Sequence, residues 1–168
     1  MRTRDRLLPS LVDRLTDDDP SVRRPEADRF VFDLARYRAA VMRDLEWLLN
    51  TNAPLAPDEA EGLPLVAAST VNYGIPPLAG GTLTRKDTRL LERELRQSIT
   101  RFEPRILPDS LVVRVISDEK AQTNRAITFH VEGQLWSQPV PEPIYLKTEL
   151  DLETGEVIVA DLDPGRRR

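Results

Sequence analysis

A chain of 168 residues is long enough to bury one real core, and two domains would crowd it. Hydrophobic residues make up 40% and charged residues 31%, a balance that excludes wholesale disorder and a coiled-coil rod. The formal charge of −4 offers a phosphate-rich partner no average attraction, and the lack of cysteine removes disulfides, thiol nucleophiles and thiolate-bound zinc.

From the start of the chain, Leu7, Leu8, Leu11, Val12 and Leu15 recur at helical spacings, which predicts a short helix over about 6–15. Asp17, Asp18, Asp19 and Pro20 end it, and residues 16–29 read as a linker with Pro20, Pro25 and alternating charges. Residues 1–29 are therefore expected to form a partner-docking helix and linker, with Leu11 and Leu15 as contact candidates. The basic start is followed by few apolar residues, broken by Pro9 and Asp13, so neither a secretory leader nor a bilayer-spanning run is expected. A cytosolic setting fits this reading.

Residues 30–163 read as one α+β domain, and 164–168 as a basic tail ending in Arg166, Arg167 and Arg168. Leu34, Tyr37, Val41, Leu45 and Leu48 mark the buried stripe of a first main helix over about 30–50. Trp47 lies off that stripe, one turn from Arg43, where its ring can meet the guanidinium or a second apolar surface; closing the edge of the domain's own core is the other reading. The connection over 51–82 is too long to be structureless and predicts a short element around Leu65–Thr70, with Asn72 and Gly74 suited to turn geometry. Thr84 caps a second main helix whose buried face is Leu91, Leu95, Ile99 and Phe102.

Pro104 stops that helix and holds the Glu103 carboxylate and the Arg105 guanidinium on a stiff corner. The plainer alternative makes Glu103 a helix-end acid and puts Arg105 on the last carbonyls. Beyond the corner the period changes. Leu111–Ser117 reads as a strand covered on both faces, while Ile127, Phe129, Val131 and Leu135 alternate with polar residues. In a third strand Ile144, Leu146, Leu150 and Leu152 point inward; Tyr145 and Lys147 belong to the outward face and are candidates for partner contact. A turn at 153–156 leads into Val157–Val159. The sum is two main helices on a small, mostly antiparallel sheet of about four strands, with the short N-terminal helix on its linker.

No catalytic chemistry emerges. His130 is the lone histidine, on a polar strand face, with no nucleophile motif beside it. Glu46 and Glu103 form a conceivable glycosidase pair, but a chain with 28 acids supplies such pairs freely. Neither a metal ligand set nor a cofactor motif is present in the sequence.

Four segments appear in a characteristic order: Ser10-Leu11-Val12-Asp13-Arg14-Leu15; Arg43-Asp44-Leu45-Glu46-Trp47-Leu48-Leu49-Asn50-Thr51; Ser69 with Asn72-Tyr73-Gly74-Ile75-Pro76; and Arg101-Phe102-Glu103-Pro104-Arg105. Over about residues 10–160 the chain resembles the TssE family of type VI secretion baseplate subunits and, through it, the phage baseplate-wedge family once labelled lysozyme-like. The resemblance implies a non-enzymatic, cytoplasmic subunit of a membrane-associated baseplate, joined to TssF, TssG and TssK beneath the TssB and TssC sheath. It implies an assembly role for Glu103, Pro104 and Arg105. The regular alternation over about 126–160 leaves a polar outer face and a sheet edge to which a TssB or TssC segment is expected to add as a strand, an expectation the resemblance favours. A wedge subunit of a phage or phage-tail-like contractile particle is the alternative. No nucleic acid partner is expected.

Overall fold

The structure, a computed structural model, describes residues 7, 9–16, 21, 33–55, 59, 62–77, 85–116, 126–137, 140–151 and 153–162. Helices α1 (Leu11–Leu15), α2 (Leu34–Leu49), α3 (Pro64–Ala67) and α4 (Arg85–Phe102) precede strands β1 (Val112–Ile116), β2 (Ala126–Leu135), β3 (Glu142–Asp151) and β4 (Val157–Asp161). The strands form one antiparallel meander in the order β1-β2-β3-β4, so the expected α+β architecture is the one observed.

Helix α2 begins where the Asp33 carboxylate accepts the Arg36 N–H at 2.7 Å, supplying one of the acceptors a helix start lacks. Its buried face is Tyr37, Val41, Leu45 and Leu48, whereas Leu34, in the unpacked first turn, stays exposed. Helix α4 buries Leu91, Leu95 and Ile99. The proposed Thr84 cap lies outside the described residues, as do most of the linker, Leu152 and the basic tail. The short element foreseen in the long connection is α3, followed by a 3₁₀ turn at Thr70–Asn72.

Two expectations need correction. The first helix covers only Leu11–Leu15, because it starts at Ser10, whose hydroxyl accepts the Asp13 N–H while the Asp13 carboxylate accepts the Ser10 N–H, both at 3.3 Å. Strand β1 is not covered on both faces: Val113 is buried, but Val112, Arg114 and Ile116 are exposed. The reason is that, among the described residues, no second layer covers that face of the sheet.

The register explains the core. Val113 pairs with Val131, Val131 with Leu146, Phe129 with Thr148, Ile127 with Leu150, and Leu150 with Val157, so these side chains share the face toward α2 and α4. Thr148 interrupts the apolar row: it is fully buried, and among the described residues its hydroxyl has no hydrogen-bond partner. The opposite face carries the row Arg114, His130, Lys147 and Ala160.

Candidate functional site: an ionic chain across three segments

Five charged side chains from three separate parts of the sequence meet in one network. Helix α1 supplies Asp13, α2 supplies Arg43 and Asp44, and the corner after α4 supplies Glu103 and Arg105. Pro104 ends α4 and reverses the chain, so the Arg105 guanidinium folds back on Glu103 with Nε 2.6 Å from Oε1 and a terminal nitrogen on Oε2. The same nitrogen donates to Asp44 Oδ2 at 2.6 Å. From Asp44 the chain passes to Arg43, whose Nε and terminal nitrogen donate to Oδ1 at 2.9 and 2.8 Å, and Arg43 then binds both oxygens of Asp13.

Cation and anion alternate along the whole line, so every carboxylate has a guanidinium and both guanidiniums bridge two acids. The buried end is Glu103, with 3% of its side chain accessible, and the line grows more exposed toward Arg43. Burial on its own would lower the Arg105 pKa; the Glu103 and Asp44 carboxylates more than reverse this and fix the positive charge. Tyr37 and Tyr73 flank the corner, and burial raises both phenols. Tyr73 also packs edge-on against Phe102, with ring centroids 5.2 Å apart.

At its outer end the network ties down α1. Leu11 and Leu15 are 68% and 76% exposed, so the helix has almost no apolar grip of its own, although Leu7 before it packs on the core. Arg43 hydrogen bonds draw the Asp13 carboxyl below its ordinary value of 3.8, against the upward push of burial, with Ser10 adding to the fall. An acid depressed in the folded state stabilises at pH values above its free value, and the contribution disappears as the pH falls through the lowered one. The α1 tie is thus expected to be intact above 3.8 and to release only in stronger acid. Methyl resonances of Leu11 and Leu15 report it: Asp13→Asn at neutral pH should give the positions that wild type reaches only in acid. Identical wild-type and variant spectra at neutral pH would show that something else holds α1.

Trp47 stands beside this end, about half exposed, with the Arg43 guanidinium 5.0 Å from its ring centroid. Its ring meets the guanidinium and does not close the core. Arg105 likewise goes to carboxylates, not to the last carbonyls of α4. The site therefore unites Arg43, Trp47, Glu103, Pro104 and Arg105 near α1 with its Leu11 and Leu15. Tyr145 and Lys147 do not join it: they lie on the outer sheet face, where Lys147 pairs with Glu149. Sequence reasoning passed over Asp44 and Asp13 as site members, although both lie inside the quoted segments. The only hint was an acid directly after Arg43 and another three residues after Ser10.

Residues 35–140 match the model of a family described as baseplate wedge protein gp25. The chain belongs to that family. Neither the curated proteins nor the solved structures compared with it give a match. The gp25 match takes in α2, the corner and the first two strands, and so contains Arg43, Asp44, Glu103 and Arg105; α1 with Asp13, and β4, lie outside it. A baseplate structural role is thus the coarse function of this chain, and its ionic chain joins the family's core to a segment beyond it.

Proposed function

We propose that this chain is the small, non-enzymatic baseplate subunit of a type VI secretion system, joining TssF, TssG and TssK and starting the TssB and TssC sheath by strand addition. It works in the cytoplasm, within a baseplate assembled against the membrane. None of the described helices is long and apolar enough to cross a bilayer. The observation that carries the reading is the ionic chain, which spends five charged groups on presenting a helix whose large apolar side chains face outward. An isolated protein gains nothing from holding Leu11 and Leu15 in water; a subunit that docks them on a neighbour does.

Affinity purification of a tagged chain from its own cells tests this. TssF, TssG and TssK are expected to copurify, and Leu11→Asp with Leu15→Asp should abolish the recovery while leaving the protein's abundance and melting unchanged. Undiminished recovery from the double variant would remove α1 from the interface. Purification with a tail tube and no TssK would place the chain in a phage-type particle instead. Pure protein is expected to release no peptidoglycan, and turnover lost in Glu46→Gln or Glu103→Gln would overturn the non-enzymatic reading.

A further inference from the structure

We infer that the outer face of the sheet is the dock for an acidic amphipathic helix of a neighbouring subunit, whose carboxylates line up on Arg114, His130 and Lys147. The inference rests on the assembly reading above and names a second contact surface, with the chemistry of what covers it.

The register puts three basic side chains side by side. Arg114 on β1 stands opposite His130 on β2, and His130 opposite Lys147 on β3, all on the face turned away from α2 and α4. Bases placed directly across from one another weaken a sheet when charged, and a face that only meets water has no need of them. Acids nearby do not balance the row. Lys147 pairs with Glu149, but among the described residues Arg114 has no ion pair, and Glu132, diagonal to Arg114 and Lys147, pairs with neither. Lys147 keeps two N–H groups beyond the one on Glu149, the guanidinium of Arg114 offers five, and an imidazole has at least one in either charge state. The row is thus a line of donors short of acceptors.

Apolar side chains border it on both sides. On one side Val112 and Tyr145 are each 38% exposed; on the other Ile116 and Ile158 are 44% and 58% exposed. The helices behind the sheet hold this surface in place. From α4, Arg96 Nε donates to the Leu111 carbonyl at 3.0 Å and the Glu92 carboxylate accepts the Val115 N–H at 2.9 Å. From the end of α2, the Asn50 carboxamide donates to the Val157 carbonyl at 2.8 Å and accepts its N–H at 2.9 Å. With its strands fixed, the row meets a partner already aligned, which lowers the ordering cost of binding.

Spacing selects the shape of that partner. Neighbouring strands lie about 4.8 Å apart, so the row from Arg114 to Lys147 is roughly 9.6 Å long. Acids at i, i+4 and i+7 of an α-helix share one face and span about 10.5 Å. In an extended chain three acids on one face cover about 13 Å, too far for the row. A helix laid across the strands therefore fits. Its width of about 10–12 Å lets apolar residues beside the acid line reach both borders, which stand about 6.7 Å to either side.

A carbodiimide joins a lysine amine to a carboxylate with no spacer, and its action on baseplates purified through a tagged chain tests the inference. Lys147 should link to Glu149 in the free protein and to an acid of a neighbouring subunit in the baseplate. Arg114→Lys places an amine at the far end of the row, and its link should fall on the same helix, about seven residues from the first. Arg114→Gln with Lys147→Gln should leave the melting temperature unchanged or raise it, yet lower recovery of the linked subunit by at least about tenfold. The cross-links need no weakened variant, so they decide even where the double variant fails to accumulate. Links that stay within the chain in the baseplate, that reach a second copy of it, or that mark acids two or four residues apart would overturn the inference and leave the baseplate reading standing. Undiminished recovery from the double variant would do the same. Absence of every baseplate protein from the wild-type purification would remove that reading, and the inference with it.

Discussion

Arg105→Ala is expected to destabilise the protein by about 3 to 5 kcal/mol, because it leaves the Glu103 carboxylate buried without a counter-charge. The side chain of Glu103 is 3% accessible, and among the described residues its hydrogen bond from outside the guanidinium is the one donated by the Arg105 N–H at 3.2 Å. An exposed pair would be worth roughly 0 to 1 kcal/mol, so the size of the loss itself reports the burial. Against a total stability of about 5 to 15 kcal/mol the variant is severe. Arg105→Lys should lie between, since a single ammonium cannot reproduce the fork that holds Glu103 and Asp44 at once. Adding Glu103→Gln to Arg105→Ala should recover part of the stability by removing the stranded charge. Denaturant midpoints of the purified variants decide; a loss below about 1 kcal/mol for Arg105→Ala would reduce the corner to a surface pair. Sheath counts in cells then separate folding from assembly. A double variant with wild-type abundance but no sheaths would show that these charges also act across the interface.

The parts of this fold that were legible from sequence are those written in periods. The stripe of α2, the face of α4 and the alternation of β2 and β3 each repeat a spacing that only one local geometry satisfies. Strand β1 misled because its outward residues, Val112 and Ile116, are apolar although they are 38% and 44% exposed, so composition looked like burial. Thr148, one hydroxyl in a buried row, gave no sign in the sequence of its full burial. The Glu103–Arg105 corner could be read because its partners lie two residues apart around a proline. Asp44 meets Arg105 across 61 positions and Asp13 meets Arg43 across 30, and such pairings leave no mark in any local window. Asn50 was equally silent: a helix-ending asparagine is ordinary, and only the placement of β4 107 residues later gives its amide a strand to cap.

Gly74→Ala is expected to cost about 2 to 4 kcal/mol, since a strained backbone angle and overpacking add at one position. Gly74 has φ +132°, and a Cβ there would stand 2.4 Å from the Thr51 carbonyl oxygen, 2.7 Å from the Ala53 nitrogen and 2.8 Å from the Asn52 carbonyl carbon. All three are main-chain atoms, so no rotamer can make way. They also belong to the segment that Ile75 staples, with its N–H on the Thr51 carbonyl and its carbonyl on the Ala53 N–H, both at 2.8 Å. Relieving the clash means parting these two segments, which draws Ile75 from the core and Tyr73 from Phe102 and the main chain of Asp44. The damage should therefore reach the ionic chain, and Gly74→Ala should weaken both stability and recovery of baseplate partners. Gly155 supplies the internal control. It too has positive φ, at +75°, but in the turn between β3 and β4 nothing lies within 4 Å of an added Cβ. Gly155→Ala should cost only the backbone strain, about 1 to 2 kcal/mol. Thermal or denaturant unfolding of the two variants separates the contributions: equal losses would mean that the close approach at Gly74 is absorbed, and that the loop after α2 does not depend on contact with a bare glycine.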